Sequence, residues 1–174
     1  VVEGGVAESL TRPGRNVTGL TLYAGGEHFA KLIQLLHETK PSVKRIGALL
    51  SYVPPLHPRA ETDLIIGGMQ SGARSLGIDL RVFEIANPDQ IKPALVAIAT
   101  QQVEALVLTS GPIPQGRRQE ILEFAAARHL PTIAESGFAS PGPDRPLLIY
   151  SASYPALMEK VVPYIDQILW RQTR

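Results

Sequence analysis

The chain has 174 residues, enough for one domain with its own hydrophobic core. A formal net charge of +1 leaves no field to steer nucleic acid or to hold a membrane surface, and basic pairs such as Arg117 with Arg118 read as solvated surface. The lack of cysteine excludes disulfides, thiolate metal sites and cysteine nucleophiles, and no apolar run approaches the roughly 20 residues that span a bilayer.

In chain order, residues 17–22 are short, β-branched and followed by Gly25 and Gly26, which predicts a strand. Phe29, Leu32, Ile33, Leu35 and Leu36 recur at helical spacing and predict a helix over 27–39, stopped by Pro41. Residues 45–50 form a nearly continuous apolar run of strand length, as expected for a strand buried on both faces. Pro54, Pro55 and Pro58 then forbid regular structure. A helix is expected over 59–76, ending at Gly77, with Leu64, Ile65, Met69, Ala73 and Leu76 as its buried stripe. Gly67, Gly68 and Gly72 weaken that helix and would let it lie close on a sheet.

The pattern repeats. Residues 79–85 alternate and predict a strand. Asn87, Pro88 and Asp89 form a helix start, with Asn87 as cap and Pro88 in the first turn of a helix running to about Gln101. Residues 104–109 read as another buried strand, 115–129 as a helix with Ile121, Leu122, Phe124 and Ala125 inward, and 131–135 as a short strand. A Pro/Gly-rich turn over 140–146 leads to a last strand at 147–150. A final helix begins near Tyr154 and Pro155, with Leu157, Val161, Ile165 and Ile168 on one face and a bend expected at Pro163. Strands alternating with helices at this spacing predict a three-layer α/β/α, Rossmann-like domain with a mostly parallel sheet.

Ligands of such sheets sit at the carboxyl ends of strands. Those ends are Ser51 and Tyr52, Thr109 and Ser110, Glu135 and Ser136, and Tyr150 with Ser151. Hydroxyls and tyrosine rings hydrogen-bond to and stack on a neutral or zwitterionic small molecule. Singly, each residue is an ordinary βα-turn residue; together they form a candidate binding rim. Glu135, the sole strand-end carboxylate of the expected strands, either binds an amine or guanidinium or is a solvated or paired rim charge.

Catalytic and cofactor motifs are lacking. The chain carries neither a phosphate-binding G-x-x-x-x-G-K-[ST] loop nor a G-x-S-x-G elbow, and Gly67, Gly68 and Gly72 do not form a dinucleotide fingerprint. His28, His37, His57 and His129 are scattered without metal-ligand spacing and read as exposed histidines. No cofactor, no metal and no enzymatic activity are expected.

The run Ser9-Leu10-Thr11-Arg12-Pro13-Gly14-Arg15-Asn16-Val17-Thr18-Gly19 resembles the lobe junction of ABC-transporter substrate-binding proteins, in the family that includes tryptophan- and tyrosine-binding lipoproteins. Pro41-Ser42-Val43-Lys44-Arg45-Ile46, Ala125-Ala126-Ala127-Arg128-His129-Leu130-Pro131 and Tyr164-Ile165-Asp166-Gln167-Ile168-Leu169 are similar to further segments of that family, in the same order. The resemblance implies a type I periplasmic-binding-protein fold of two lobes. Residues 1–16 would be the interlobe junction and 17–174 a single α/β lobe, the second of the two. The first lobe, with signal peptide or lipid anchor, would precede Val1, and the parent would be periplasmic or otherwise extracytoplasmic and membrane-anchored.

The implied function is binding of a small solute, an aromatic amino acid by family likeness, in the interlobe cleft, and its delivery to an ABC permease by lobe closure. Three strand-end loops depart from the family pattern: Ser51-Tyr52-Val53-Pro54 where asn-pro is common, Thr109-Ser110-Gly111-Pro112 where pro-asp is common, and residues 140–150. The candidate ligand contacts by position are Ser51, Tyr52, Thr109, Ser110, Glu135, Ser136 and Tyr150. Two other readings stand beside this one. A sensor or effector-binding module could share the fold, and a small α/β enzyme would need a nucleophile–base pair at the strand ends. A second copy docking through the exposed lobe face is the expected mode of any dimer.

Overall fold

The computed structural model describes residues 7–9, 11–14, 16, 19–20, 25–54, 57–138 and 145–172. Contacts divide the chain into two compact units, Gly25–Tyr150 and a second made of Val1–Ala24 with Ser151–Arg174.

The larger unit is built on a five-stranded sheet in the order β2-β1-β3-β4-β5. The strands are β1 (Arg45–Ser51), β2 (Asp79–Ile85), β3 (Ala105–Leu108), β4 (Thr132–Ala134) and β5 (Leu148–Ile149), and every pairing is parallel. Between them run α1 (Glu27–Thr39), α2 (Arg59–Ser75), α3 (Ile91–Thr100), α4 (Pro112–Gly116) and α5 (Arg118–Ala127). Strand order reverses between β1 and β3, which makes that seam the topological switch point of the sheet.

Alternation along the central strands feeds two cores. Leu49, Leu106, Leu108 and Ala134 meet Ile91, Leu95, Ile98, Ile121, Leu122 and Ala125 from α3 and α5. Ile46, Ala48, Leu50, Val107 and Ile133, the alternate residues of the same strands, are also buried and face the other side, where α1 and α2 pack together. Phe29, Leu32, Ile33 and Leu36 of α1 are 1% exposed or less, each side chain contributing about 1.5–3 kcal/mol of gross burial.

The stripe expected on α2 is only half right. Met69 and Ala73 are buried, but Leu64, Ile65 and Leu76 are half-exposed, and Thr62, Gly68 and Gly72 take the inner positions. The glycines admit a helix rather than a sheet. A Cβ on Gly72 would stand 2.8 Å from the Ala30 carbonyl oxygen, and one on Gly68 would collide with the backbone of Gly26. The close α1–α2 approach is what selects glycine there.

The helix expected over 115–129 is two. Pro112 at the first position starts α4 early, and Arg117, at φ −112° and ψ 19°, separates it from α5. Helices α2, α3 and α5 end alike, with a residue at positive φ (Gly77, Gln102, His129) and paired backbone bonds such as Leu130 N–H to Ala125 O at 2.9 Å and His129 N–H to Ala126 O at 3.0 Å. Asn87 caps as expected, its side chain accepting from Asp89 N–H at 3.1 Å, but the first turn is a 3₁₀ turn, Pro88–Gln90, ahead of α3.

In the smaller unit α6 (Tyr154–Gln172) is a single helix that carries Pro163 within it. Leu157 and Val161 are half-buried, while Ile165 and Ile168 are 51% and 41% exposed. Near the start, Ser9 Oγ accepts from Arg12 N–H at 2.9 Å and Gly14 takes φ +70°. The strand expected over 17–22 lies mostly outside the described residues; Gly19 and Leu20, which are described, are in no regular element. Residues 140–144 of the expected turn also lie outside them. No helix among the described residues is long and apolar enough to cross a membrane.

Candidate ligand-binding site

Because all strands are parallel, their carboxyl ends form one edge, and β1, β3, β4 and β5 are consecutive neighbours along it. The ladder continues just past the strands: Thr109 N–H donates to Leu49 O at 3.2 Å, Glu135 N–H to Leu108 O at 3.2 Å and Tyr150 N–H to Ala134 O at 2.9 Å. The expected strand-end residues of the larger unit thus stand in a row.

They differ in what they present. Ser51 is 7% exposed, and its hydroxyl is buried without a hydrogen-bond partner among the described residues. Gly111 lies against it: a Cβ there would sit 2.6 Å from Ser51 Cβ, so the β1 and β3 ends meet across the switch point only because that residue is glycine. Thr109 is buried, its Oγ1 donating to Leu49 O at 3.4 Å. Tyr52 is half-buried, with its backbone tied to Ile85 O at 2.9 Å and its ring 5.0 Å below the Arg59 guanidinium. Arg59 is itself gripped by Glu84 at 2.6 Å and Asp63 at 2.7 Å, so the cation over the ring is fixed in place.

Glu135 is the pivot. It is 2% exposed, and both carboxylate oxygens are engaged: Oε2 accepts from Ser110 N–H at 2.6 Å and Oε1 from His28 Nε2 at 3.1 Å. The His28 ring stacks on Tyr150 at 5.1 Å and 20°, and meets Phe29 edge-on at 5.1 Å. One buried carboxylate therefore joins the first turn of α1 to the ends of β3 and β4, and through His28 to the end of β5. Ser136 begins a half-exposed 3₁₀ turn beside it, Ser136–Phe138, whose Phe138 is fully buried.

Two readings of the sequence change here. Glu135 is paired, but it is a buried, doubly bonded group and not a charge on the solvated rim. His28 is 15% exposed and hydrogen-bonded to Glu135, not a free surface histidine. A signal for His28 was available in the topology: in a βαβ unit the first turn of each helix lies at the carboxyl ends of the strands. A carboxylate-oriented imidazole is part of what an enzyme would need. Ser110, however, meets Glu135 through its backbone N–H, which does not activate its hydroxyl. Among the described residues no cluster of His, Asp and Glu could hold a metal ion.

A cavity of about 450 Å³ lies elsewhere: it is lined by Thr39, Leu130, Pro131 and Leu147, at the amino ends of β4 and β5. The strand-end row, by contrast, runs along the carboxyl ends of β1, β3, β4 and β5 and includes the switch point.

No family model matches the chain, and no curated protein sequence does. Solved structures do. A conserved domain protein from Vibrio cholerae is 21% identical with a TM-score of 0.63, over 76% of this chain and 42% of that one. An ABC domain from Streptococcus pneumonia in complex with L-Trp is 18% identical with a TM-score of 0.62, over 78% and 44%. The chain has the fold of one lobe of a periplasmic-binding protein. A LacI-family transcriptional regulator from Weissella paramesenteroides with bound glucose shares that fold, at 15% identity and a TM-score of 0.53, over 70% and 41%. This lobe spans less than half the length of each of these proteins.

Proposed function

We propose that this lobe belongs to the solute-binding component of an ABC transporter, one wall of a cleft that closes on a small molecule and hands it to a permease. The observation that carries the proposal is the strand-end row at the β1–β3 switch point. It offers hydroxyls and two tyrosine rings at an open edge, which is what half of an interlobe cleft provides. Tyr52, Ser110, Ser136 and Tyr150 are the contacts nearest the ligand; Ser51, Thr109 and Glu135 are the buried members of the row, and Glu135 holds Ser110 by its backbone N–H. The ligand class that fits is a small amino acid with an aromatic or other flat side chain that stacks on one of the rings. The site acts by binding and lobe closure, without a chemical step, and its setting is extracytoplasmic.

A thermal-shift screen of the full-length parent against amino acids tests this, because a ligand that binds only the native state raises the melting temperature. An aromatic amino acid is expected to raise it, and Tyr52→Ala with Tyr150→Ala to abolish the rise. The 174-residue chain alone is expected to bind weakly, with one wall of the cleft present. Micromolar binding of that amino acid by the chain alone, in calorimetry, would count against the two-walled site.

The fold shared with a ligand-bound transcriptional regulator supports a second reading, an effector-binding module. A DNA-binding or sensor segment encoded ahead of Val1 favours that reading; an export signal favours transport.

A further inference from the structure

At the edge of the sheet opposite the strand-end row, the 450 Å³ cavity opens between the end of α1, α5 and the segment that enters β5. Its size lies within the range of small-molecule sites, roughly 300–1,000 Å³. Its floor is apolar: Leu122 and Ala125 are buried, Leu130 is half-buried, and Leu147, 56% exposed, forms a lip. Lys40, His129 and Arg145 stand around it, all exposed. Among the described residues none of the three side chains makes a hydrogen bond or a close ion pair; Lys40 feels Glu104 only at longer range.

Two of these groups have an ordinary origin, since Lys40 and His129 follow α1 and α5, where basic residues complement the helix dipole. The magnitudes decide what is left over. Two helix ends supply about one negative charge between them. Lys40 and Arg145 are both basic, Arg145 belongs to neither helix, and the described lining residues include no acid, so among them positive charge prevails above an apolar floor.

We propose that this cavity is a second ligand site, for a small amphipathic carboxylate, distinct from the strand-end row and independent of its function. The apolar body of the ligand lies on Leu122, Leu130 and Leu147, and its carboxylate faces Lys40 and Arg145.

Decanoate is a suitable probe, with decanol and decyltrimethylammonium as neutral and cationic controls of the same chain length. Titration of the isotope-labelled chain, followed by amide NMR, is expected to give saturable shifts at Leu130, Thr132 and Leu147 with decanoate and much smaller ones with both controls. Lys40→Glu with Arg145→Glu, in a variant that melts at the parent's temperature, is expected to weaken decanoate by about tenfold or more, the factor that 1.4 kcal/mol corresponds to. Equal shifts with decanol, no shifts at these amides, or unchanged affinity in the variant would each overturn the proposal.

Discussion

His28 and Glu135, 107 residues apart in the chain, meet at 3.1 Å with the carboxylate almost wholly buried. That pair fastens α1 to the edge of the sheet where the proposed solute lies. Removing the carboxylate strips Ser110 N–H and His28 of their acceptor. Glu135→Ala is expected to cost about 2–4 kcal/mol and Glu135→Gln less, since the amide oxygen still accepts one bond. Urea unfolding measures both; an alanine variant as stable as the parent would show that the pair is not a fastening.

The α1–α2 contact gives opposite signs to neighbouring glycines. Gly72→Ala places a methyl against Ala30 backbone and is expected to destabilise by about 1–3 kcal/mol. Gly67, five residues earlier on the same helix and exposed, has open space at its Cβ position, so Gly67→Ala is expected to stabilise by about 0.5–1 kcal/mol. Melting temperatures of the two variants should move in opposite directions, and a shared direction refutes the packing account.

Gln102 occupies a left-handed position, φ 53°, at the end of α3. Glycine adopts that conformation without the Cβ penalty, so Gln102→Gly is expected to raise stability by about 1 kcal/mol despite losing a side chain. Chemical denaturation checks it, and a loss of stability of that size would contradict the assigned cap.

Glu104 reaches across from the entry of β3 to the start of β1, where Lys44 N–H at 2.6 Å and Arg45 N–H at 3.2 Å donate to its carboxylate. The Lys44 backbone bond is the largest cause holding its carboxyl below the ordinary value of 4.5. A depressed carboxyl contributes stability above its unfolded value, and that contribution is lost as pH falls through the lower folded value. Glu104→Gln should therefore unfold at lower urea than the parent near pH 7, with the gap closing as pH drops below about 4.5. A gap that stays constant from neutral to strongly acidic pH would exclude this linkage.

Much of the fold was legible because local rules agree with one another. Five apolar positions at helical spacing predicted α1, which runs Glu27–Thr39, and a nearly continuous apolar run predicted β1 between two helix layers. What failed depended on neighbours. The inner face of α2 is set by Gly68 and Gly72, because a second helix comes within backbone contact there; residue hydrophobicity carries no record of that approach. The early start at Pro112 and the break at Arg117 were both missed by periodicity alone.

The same division holds at the candidate site. The order of strands and helices, read from periodicity and turn residues, placed Ser51, Thr109, Glu135 and Tyr150 at strand ends, because a parallel sheet puts those ends on one edge. Only the tertiary structure decided what each residue does there. Folding buried Glu135 with two donors, brought His28 onto it across the sheet, and sealed the Ser51 hydroxyl beneath Gly111. Whether a carboxylate is a rim charge or a buried clamp depends on which donors meet it, and those donors come from residues distant in sequence, which no local pattern encodes.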